Sequence, residues 1–136
     1  LFRLMYTHPK AIIAEVNGHA IAGGCGLVSV CDFAFTHHDA HFGYTENRIG
    51  FIPAIVLYFL VQKIGEAKAR YLLLSGSVVS AAEAKQLGLV NEVVEKEKDL
   101  HETVLAFAEQ LNEHTSAQSI RLTKELFWNV QNMPMD

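Results

Sequence analysis

The arrangement of this chain is decided by one stretch near its start, Ala11-Ile12-Ile13-Ala14-Glu15-Val16-Asn17-Gly18-His19-Ala20-Ile21-Ala22-Gly23-Gly24-Cys25-Gly26-Leu27. Residues 11–16 form an apolar run of β-favouring character, which predicts a strand. Asn17-Gly18 readily adopts positive φ, so a tight turn is expected there, followed by a second short strand over 19–22. After Gly23-Gly24 apolar residues recur at helical spacing through Leu27, Val30 and Cys31. The glycines therefore lie where a strand passes into a helix.

The start of this predicted helix is a candidate anion site. Its first N–H groups have no intrahelical partner, the helix dipole is positive at that end, and glycine lets another group approach the backbone. Phosphate or a transient oxyanion would suit it. Tight strand–helix packing also explains Gly23-Gly24, and from the glycines alone that interpretation is favoured. A dinucleotide fingerprint is weaker, because Gly24-x-Gly26 is followed by Ser29 where a third glycine belongs.

A lone carboxylate, Glu46, stands in the segment Phe42-Gly43-Tyr44-Thr45-Glu46-Asn47-Arg48-Ile49-Gly50-Phe51-Ile52-Pro53. A carboxylate among apolar and glycine residues is a candidate for proton transfer. Combined with the anion-holding turn it suggests enolate chemistry, in which backbone amides stabilise the oxyanion and the carboxylate moves the proton. Two alternatives stay open, namely a surface position for Glu46 and an ion pair with Arg48 that would weaken it as a base. Tyr44 either lines a pocket or packs in the core.

Composition narrows the class of protein and its partners. The 136 residues are 50% hydrophobic and 19% charged, which suits one globular domain with a core. The net charge of −4 argues against nucleic acid or an anionic membrane as partner. Cys25 and Cys31 suggest no disulfide framework and fit a reducing, cytoplasmic setting. His37, His38 and His41 lack a matching carboxylate or cysteine cluster, so we expect a solvated turn there and no metal.

The remaining elements follow from periodicity and capping signals. We predict a helix over 1–7, strands over 32–36, 41–43 and 89–94, and helices over 54–63 and 66–74, the first of them buried because it is nearly all apolar. Ser80-Ala81-Ala82-Glu83 is a capping box that begins a helix ended by Gly88. Asp99 and Ser116 are expected to cap two C-terminal helices. The chain is therefore α/β in class, with a helical C-terminal portion.

Several of these segments together resemble the crotonase superfamily, the enoyl-CoA hydratase/isomerase family. The resemblance rests on Pro9-Lys10-Ala11-Ile12-Ile13-Ala14-Glu15-Val16-Asn17-Gly18-His19-Ala20, Ala22-Gly23-Gly24-Cys25, Cys31-Asp32, Ala40-His41-Phe42-Gly43-Tyr44-Thr45-Glu46, Ile49-Gly50-Phe51-Ile52-Pro53, and the run from Leu74-Ser75-Gly76 to Gly88-Leu89-Val90. These motifs occur in family order over nearly the whole chain.

The resemblance implies a ClpP/crotonase-like spiral of β-β-α units over about residues 1–95 and C-terminal helices over about 96–136. It implies an acyl-CoA thioester substrate and no separate cofactor, since CoA is part of the substrate. It also implies a homotrimer or a dimer of trimers. Gly23 matches the family position that supplies one N–H of the oxyanion hole, and the second comes from an earlier loop. We therefore expect the chain to be a partial domain.

One departure from the family pattern bears on mechanism. Typical hydratases of the family use two glutamates, and here the first position is Gly26 and the second is Glu46. The resemblance implies catalytic roles for Glu46 and Gly23, and substrate-binding roles for Ala22, Gly24, Gly26, Tyr44, Ile49, Gly50 and Pro53. The first hypothesis is a hydratase, a lyase of fatty acid metabolism. The alternatives are a double-bond isomerase with Glu46 as a single proton shuttle, and a non-catalytic acyl-CoA-binding relative.

Overall fold

Short strands alternate with helices along the first two thirds of the chain, and two long helices end it. The computed structural model describes residues 1–50 and 54–131. The elements are α1 Phe2–Thr7, β1 Ile13–Val16, β2 Ala20–Ile21, α2 Gly23–Val30, β3 Phe33–His37, β4 His41–Gly43, a 3₁₀ turn Glu46–Ile49, α3 Ala54–Ile64, α4 Glu66–Ser75, β5 Val78–Ser80, α5 Ala81–Leu87, β6 Glu92–Val94, α6 Glu97–His114 and α7 Ala117–Gln131.

The strands form two three-stranded sheets, in the orders β1-β3-β6 and β2-β4-β5. Successive turns of the chain place one strand in each sheet and then a helix, so β1 pairs with β3 and β2 pairs with β4, both in parallel. Among the strands in residues 1–50 and 54–131, only β5 is antiparallel to its neighbour, β4. The repeat β1-β2-α2 followed by β3-β4-α3 confirms the predicted α/β class and β-β-α arrangement.

The core lies between these sheets and the helices that cover them. Inward-facing residues of both sheets meet apolar positions of α2, α3, α4 and α5 in one cluster. Its fully buried large side chains include Phe42, Tyr44, Leu60, Leu72 and Val79. Phe42 of β4 pairs with Val79 of β5, and both side chains are buried. The core therefore packs against the end of β4, from which the chain continues to Glu46.

The C-terminal helix is held to the rest of the fold by a buried lysine. Lys124 of α7 donates to Asp32 Oδ2 at 2.7 Å, to the Lys10 carbonyl at 2.9 Å and to the Met5 carbonyl at 3.3 Å. The same Asp32 oxygen accepts the Ile12 N–H at 2.8 Å. These acceptors compensate the ammonium for its loss of water. The predicted helical C-terminal portion is confirmed.

Two helix predictions are corrected. The helix over 54–63 is α3, and it is buried on one face only, since Ile55 is 72% and Leu57 48% exposed. Apolar composition does not by itself distinguish an internal helix from one with an uncovered apolar face. Asp99 is not an N-cap, because α6 begins at Glu97 after Lys96. Its carboxylate lies in the first helical turn, where the helix dipole favours negative charge.

Both serine caps are confirmed. Ser80 accepts the Glu83 N–H at 3.2 Å and donates to that glutamate's carboxylate at 3.3 Å, which completes the capping box. Ser116 accepts the Ser119 N–H at 3.3 Å. Both hydroxyls therefore satisfy an N–H group that the helix itself leaves without a partner.

Two strand and turn predictions need revision, and one strand was missed. The strand over 89–94 shortens to β6, because Leu89 and Val90 are buried before the pairing with β3 begins. Strand β5 was not predicted, since three residues are too few to show periodicity. Neither Asn17 nor Gly18 has positive φ, because the chain there passes from one sheet to the other instead of reversing.

No described helix has the length and apolar character that crossing a bilayer requires.

Candidate active site

Two parallel strands bring the glycine turn and Glu46 to the same edge of a sheet. In β2 and β4 Ala20 pairs with Phe42 and Ile21 with Gly43. The Ala22 N–H extends this pairing with a 2.8 Å bond to the Gly43 carbonyl. Helix α2 begins directly after β2, and the 3₁₀ turn begins with Glu46 shortly after β4. Because carboxyl ends of adjacent parallel strands share one edge, the two candidate catalytic groups are neighbours.

The turn into α2 has a strained backbone. Ala22 has φ 55° and ψ −119°, and it is the only non-glycine residue with positive φ in the described ranges. Such conformations cost about 1–3 kcal/mol and concentrate at functional sites. Nothing in the sequence signals this strain, because the position carries alanine and not glycine. This strained residue lies between the end of β2 at Ile21 and the start of α2 at Gly23.

Gly23 and Gly24 are exposed at this helix start, and a Cβ on either would meet no atom within 4 Å. Packing therefore does not require these two glycines, and the tight-packing interpretation of the pair is not supported. Exposed glycines at a helix start leave the backbone accessible, which is compatible with an approaching anion or oxyanion. Their roles in binding and catalysis stay predictions.

Gly26 differs from this pair because it is buried against two other helices. A Cβ there would lie 2.7 Å from Val56 Cγ2 of α3 and 3.5 Å from Phe2 Cζ of α1. Its N–H bonds to the Ala22 carbonyl at 3.0 Å, so its backbone belongs to the first helical turn. A side chain at this position, including a second glutamate, would have to displace Val56.

Glu46 is partly buried and opens the 3₁₀ turn. Its Oε2 is fully buried without a hydrogen-bond partner, and among the described residues it is the one side-chain polar atom in that condition. Arg48 is exposed and forms no ion pair with it. A buried acceptor left without a partner is costly and demands an explanation. Neither the surface position nor the Arg48 pair supplies one.

Behind Glu46 a buried polar cluster joins the end of β4 to α2. Tyr44 is 1% exposed, and its hydroxyl donates to the Cys25 carbonyl at 3.3 Å. Burial raises the pKa of Tyr44 above its ordinary value, so the hydroxyl keeps its proton at neutral pH. Burial raises the pKa of the Cys25 thiol to about 11, with a smaller contribution from the Glu46 carboxylate. Cys25 is therefore a protonated core residue at neutral pH and not a nucleophile.

The other predicted binding residues lie on the outer side of the same edge. Ile49 is 73% exposed, and Gly50 closes the 3₁₀ turn with φ 81°. Pro53 lies outside the described residues. The side chain of Tyr44 is buried in the core, where its hydroxyl bonds to α2. This position does not support the prediction that Tyr44 contacts the substrate. All of these binding assignments stay predictions.

The histidine turn is only partly solvated. His38 is exposed as predicted, but His37 is 7% exposed and uses both ring nitrogens. Its Nε2 bonds to the Asn17 carbonyl at 3.0 Å, and its Nδ1 accepts the Asp39 N–H at 3.2 Å. The possible ligand atoms of His37, His38 and Asp39 lie within 4.8 Å of one another. A metal there would have to break one of the two bonds of His37.

Comparison with known proteins identifies the family. The family described as "Enoyl-CoA hydratase/isomerase" matches residues 1–134. A Thermus thermophilus protein named "Putative enoyl-CoA hydratase" is 45% identical over 136 residues, which is 100% of this chain and 53% of that protein. The chain thus spans about half of the length of this relative.

Solved structures with the same fold include proteins named for different reactions. A monofunctional enoyl CoA isomerase from M. smegmatis superposes with a TM-score of 0.85 at 32% identity, covering 98% of this chain and 63% of that one. A Thermobifida fusca structure in complex with CoA has a TM-score of 0.88 at 31% identity, covering 98% and 52%. With the family match over residues 1–134 and the β-β-α repeat, these similarities show that the chain belongs to the enoyl-CoA hydratase/isomerase family of the crotonase superfamily.

Proposed function

We propose that the protein hydrates a 2-enoyl-CoA thioester through an enolate, with Glu46 as acid and base and the Gly23 N–H as one oxyanion donor. The observation that carries this proposal is the buried, partnerless Oε2 of Glu46 at the sheet edge where α2 begins. A substrate or a water held there would give that oxygen the partner it lacks.

The proposed reaction balances with one carboxylate. Glu46 takes a proton from water as the water oxygen bonds to C3, and the electrons of the double bond move to the thioester oxygen. The Gly23 N–H stabilises that oxyanion, and one such donor is typically worth about 3 kcal/mol of barrier. Glu46 then returns a proton to C2 as the enolate collapses. Acid–base catalysis of this kind adds about 10²–10⁴-fold.

Isomerisation is the second candidate, and a specific contact favours it. Gly26 offers no space for a second carboxylate because Val56 Cγ2 lies 2.7 Å from where its Cβ would be. With one carboxylate, Glu46 could remove a proton from C2 of a 3-enoyl-CoA and deliver it to C4. Similarity to the monofunctional isomerase also supports this reaction. A non-catalytic protein that only binds acyl-CoA is the third candidate.

The test incubates the full-length protein separately with a 2-enoyl-CoA and a 3-enoyl-CoA while the absorbance of the conjugated thioester is followed. Hydration predicts loss of absorbance from the first substrate, and isomerisation predicts a rise from the second. Glu46→Gln should abolish either signal. Glu125→Gln is the matched control, because Glu125 is a half-exposed carboxylate paired with Arg121 on α7.

Each outcome decides among the candidates. A rise from the 3-enoyl substrate with no loss from the other would replace hydration by isomerisation. Binding of both CoA esters without turnover would favour the non-catalytic protein. Turnover that persists in Glu46→Gln would remove Glu46 from the mechanism. The assembly expected for the full-length protein, a trimer or a dimer of trimers, is a separate proposal that sedimentation tests.

A further inference from the structure

Tyr44 connects the two halves of the candidate site from inside the core. It follows the last residue of β4, Gly43, and precedes Glu46 by two positions. Its ring is fully buried in the hydrophobic cluster. Its hydroxyl donates to the Cys25 carbonyl at 3.3 Å, and Cys25 belongs to the first turn of α2 together with Gly23. One side chain thus links the segment that carries the carboxylate to the turn that carries the amide.

The polar contact of this hydroxyl is specific. The Tyr44 hydroxyl has one hydrogen, and the Cys25 carbonyl accepts it. The Ser29 hydroxyl, 2% exposed, is engaged within α2 itself, where it donates to the Gly26 carbonyl at 2.6 Å. The bond to Cys25 is therefore the polar link from Tyr44 to α2. A phenylalanine would fill the same apolar space, so the hydroxyl itself adds only this bond.

A backbone contact alone does not restrain the carboxylate. The Ala22 N–H bonds to the Gly43 carbonyl at 2.8 Å and aligns the two strand ends. Residues 44–46 leave the sheet beyond that bond, and the 3₁₀ turn they enter is exposed from Asn47 to Gly50. Asn47 Nδ2 donates to the Leu74 carbonyl at 2.7 Å and holds this turn to α4, whereas the buried Tyr44 joins the segment to α2.

We propose that Tyr44 is a positioning residue, whose hydroxyl fixes Glu46 relative to the Gly23 amide through the Cys25 carbonyl. This inference rests on the proposed function, since it concerns the geometry of that same site. Proton transfer and oxyanion stabilisation act on one substrate, so an error of about 1 Å between the two groups costs about 10²-fold in rate. Loss of the hydroxyl should lower kcat and leave substrate binding nearly unchanged.

The test compares Tyr44→Phe with Tyr58→Phe in the full-length protein, using whichever enoyl-CoA the wild type converts. Tyr58 is the matched control, because its hydroxyl donates to Gln131 Oε1 at 2.8 Å on the far side of α3. We expect Tyr44→Phe to lower kcat at least about tenfold, with KM changed less than about twofold. Each variant should lose a few degrees of Tm at most, and Tyr44→Phe the more, since its hydroxyl bond is buried and that of Tyr58 is only partly buried.

Ser29→Ala supplies a second control from the same helix. It removes a buried hydroxyl bond that lies within α2 and does not reach Tyr44, so kcat should stay within about twofold of the wild type. If Tyr44→Phe matches Tyr58→Phe in kcat, or if Ser29→Ala lowers kcat as much as Tyr44→Phe does, the inference is overturned while the proposed function stands. A wild type that converts neither substrate would overturn the proposed function, and this inference with it.

Discussion

Substitution of Gly26 by alanine should have opposite effects on stability depending on residue 56. In the wild type the new Cβ would lie 2.7 Å from Val56 Cγ2, closer than van der Waals contact allows. Valine has one strongly preferred rotamer in a helix, so Val56 cannot simply rotate away. Overpacking of a core costs about 1–3 kcal/mol, and replacing glycine in a helix returns about 1 kcal/mol. The net expectation is a loss of about 1 kcal/mol.

The Val56→Ala background removes the clashing methyl group. The nearest remaining atoms, Phe2 Cζ and Cε2, are 3.5 and 3.7 Å from the new Cβ, which is ordinary contact. Only the gain in helix propensity then remains, so Gly26→Ala should stabilise this background by about 1 kcal/mol. The coupling energy between the two positions is therefore about 2 kcal/mol, within the range measured for touching residues.

Thermal unfolding of the full-length protein measures this cycle. For a chain of that size 1 kcal/mol corresponds to about 2–4 °C in Tm, so Gly26→Ala should lower Tm by about 3 °C in the wild type and raise it by about 3 °C in Val56→Ala. An equal effect in both backgrounds would refute the reasoning. It would mean that Val56 of α3 does not lie against Gly26 of α2 as closely as the 2.7 Å distance implies.

Two further predictions concern stability. Lys124→Met should lower the free energy of unfolding by about 3 kcal/mol, because it leaves the Asp32 carboxylate without its cation. The matched change Lys85→Met should lower it by under about 1 kcal/mol, since the pair of Lys85 with Glu92 is half exposed. Equal losses of the two variants in urea unfolding would contradict this. Ala22→Gly should stabilise the protein by about 1 kcal/mol by relieving a φ of 55°; an unchanged Tm would show that the conformation carries no strain.

The elements of this fold could be predicted where the signal is local. The change from β-favouring residues to helical spacing after Gly23-Gly24 predicted α2, which in the structure already begins at Gly23 and ends at Val30, and Ser80 with Glu83 marked the start of α5. Both signals involve residues within one or two turns of each other. Strand β5 has no such signal, because its pairing with β4 joins positions more than thirty residues apart.

The candidate site could be predicted in its residues but not in its geometry. Glu46 stood out as a lone carboxylate, yet only the folded chain shows that its Oε2 is buried without a partner. The contact of Gly26 with Val56 crosses thirty residues, so nothing near Gly26 reveals it. Tyr44 could be named, but whether its hydroxyl faces a ligand or α2 depends on packing that no local pattern encodes.

Contacts with neighbouring elements hold helix α2 at both of its ends, so the N–H groups of its first turn are fixed before any substrate binds. At its C-terminus Lys63 donates to the Cys31 carbonyl at 2.8 Å, where a cation also suits the helix dipole. The next residue, Asp32, is bonded to Lys124 of α7. At its N-terminus the strained Ala22 and the hydroxyl of Tyr44 fix the first turn. A donor fixed before the reaction needs no reorganisation when the oxyanion forms, which is the condition under which one backbone N–H contributes most.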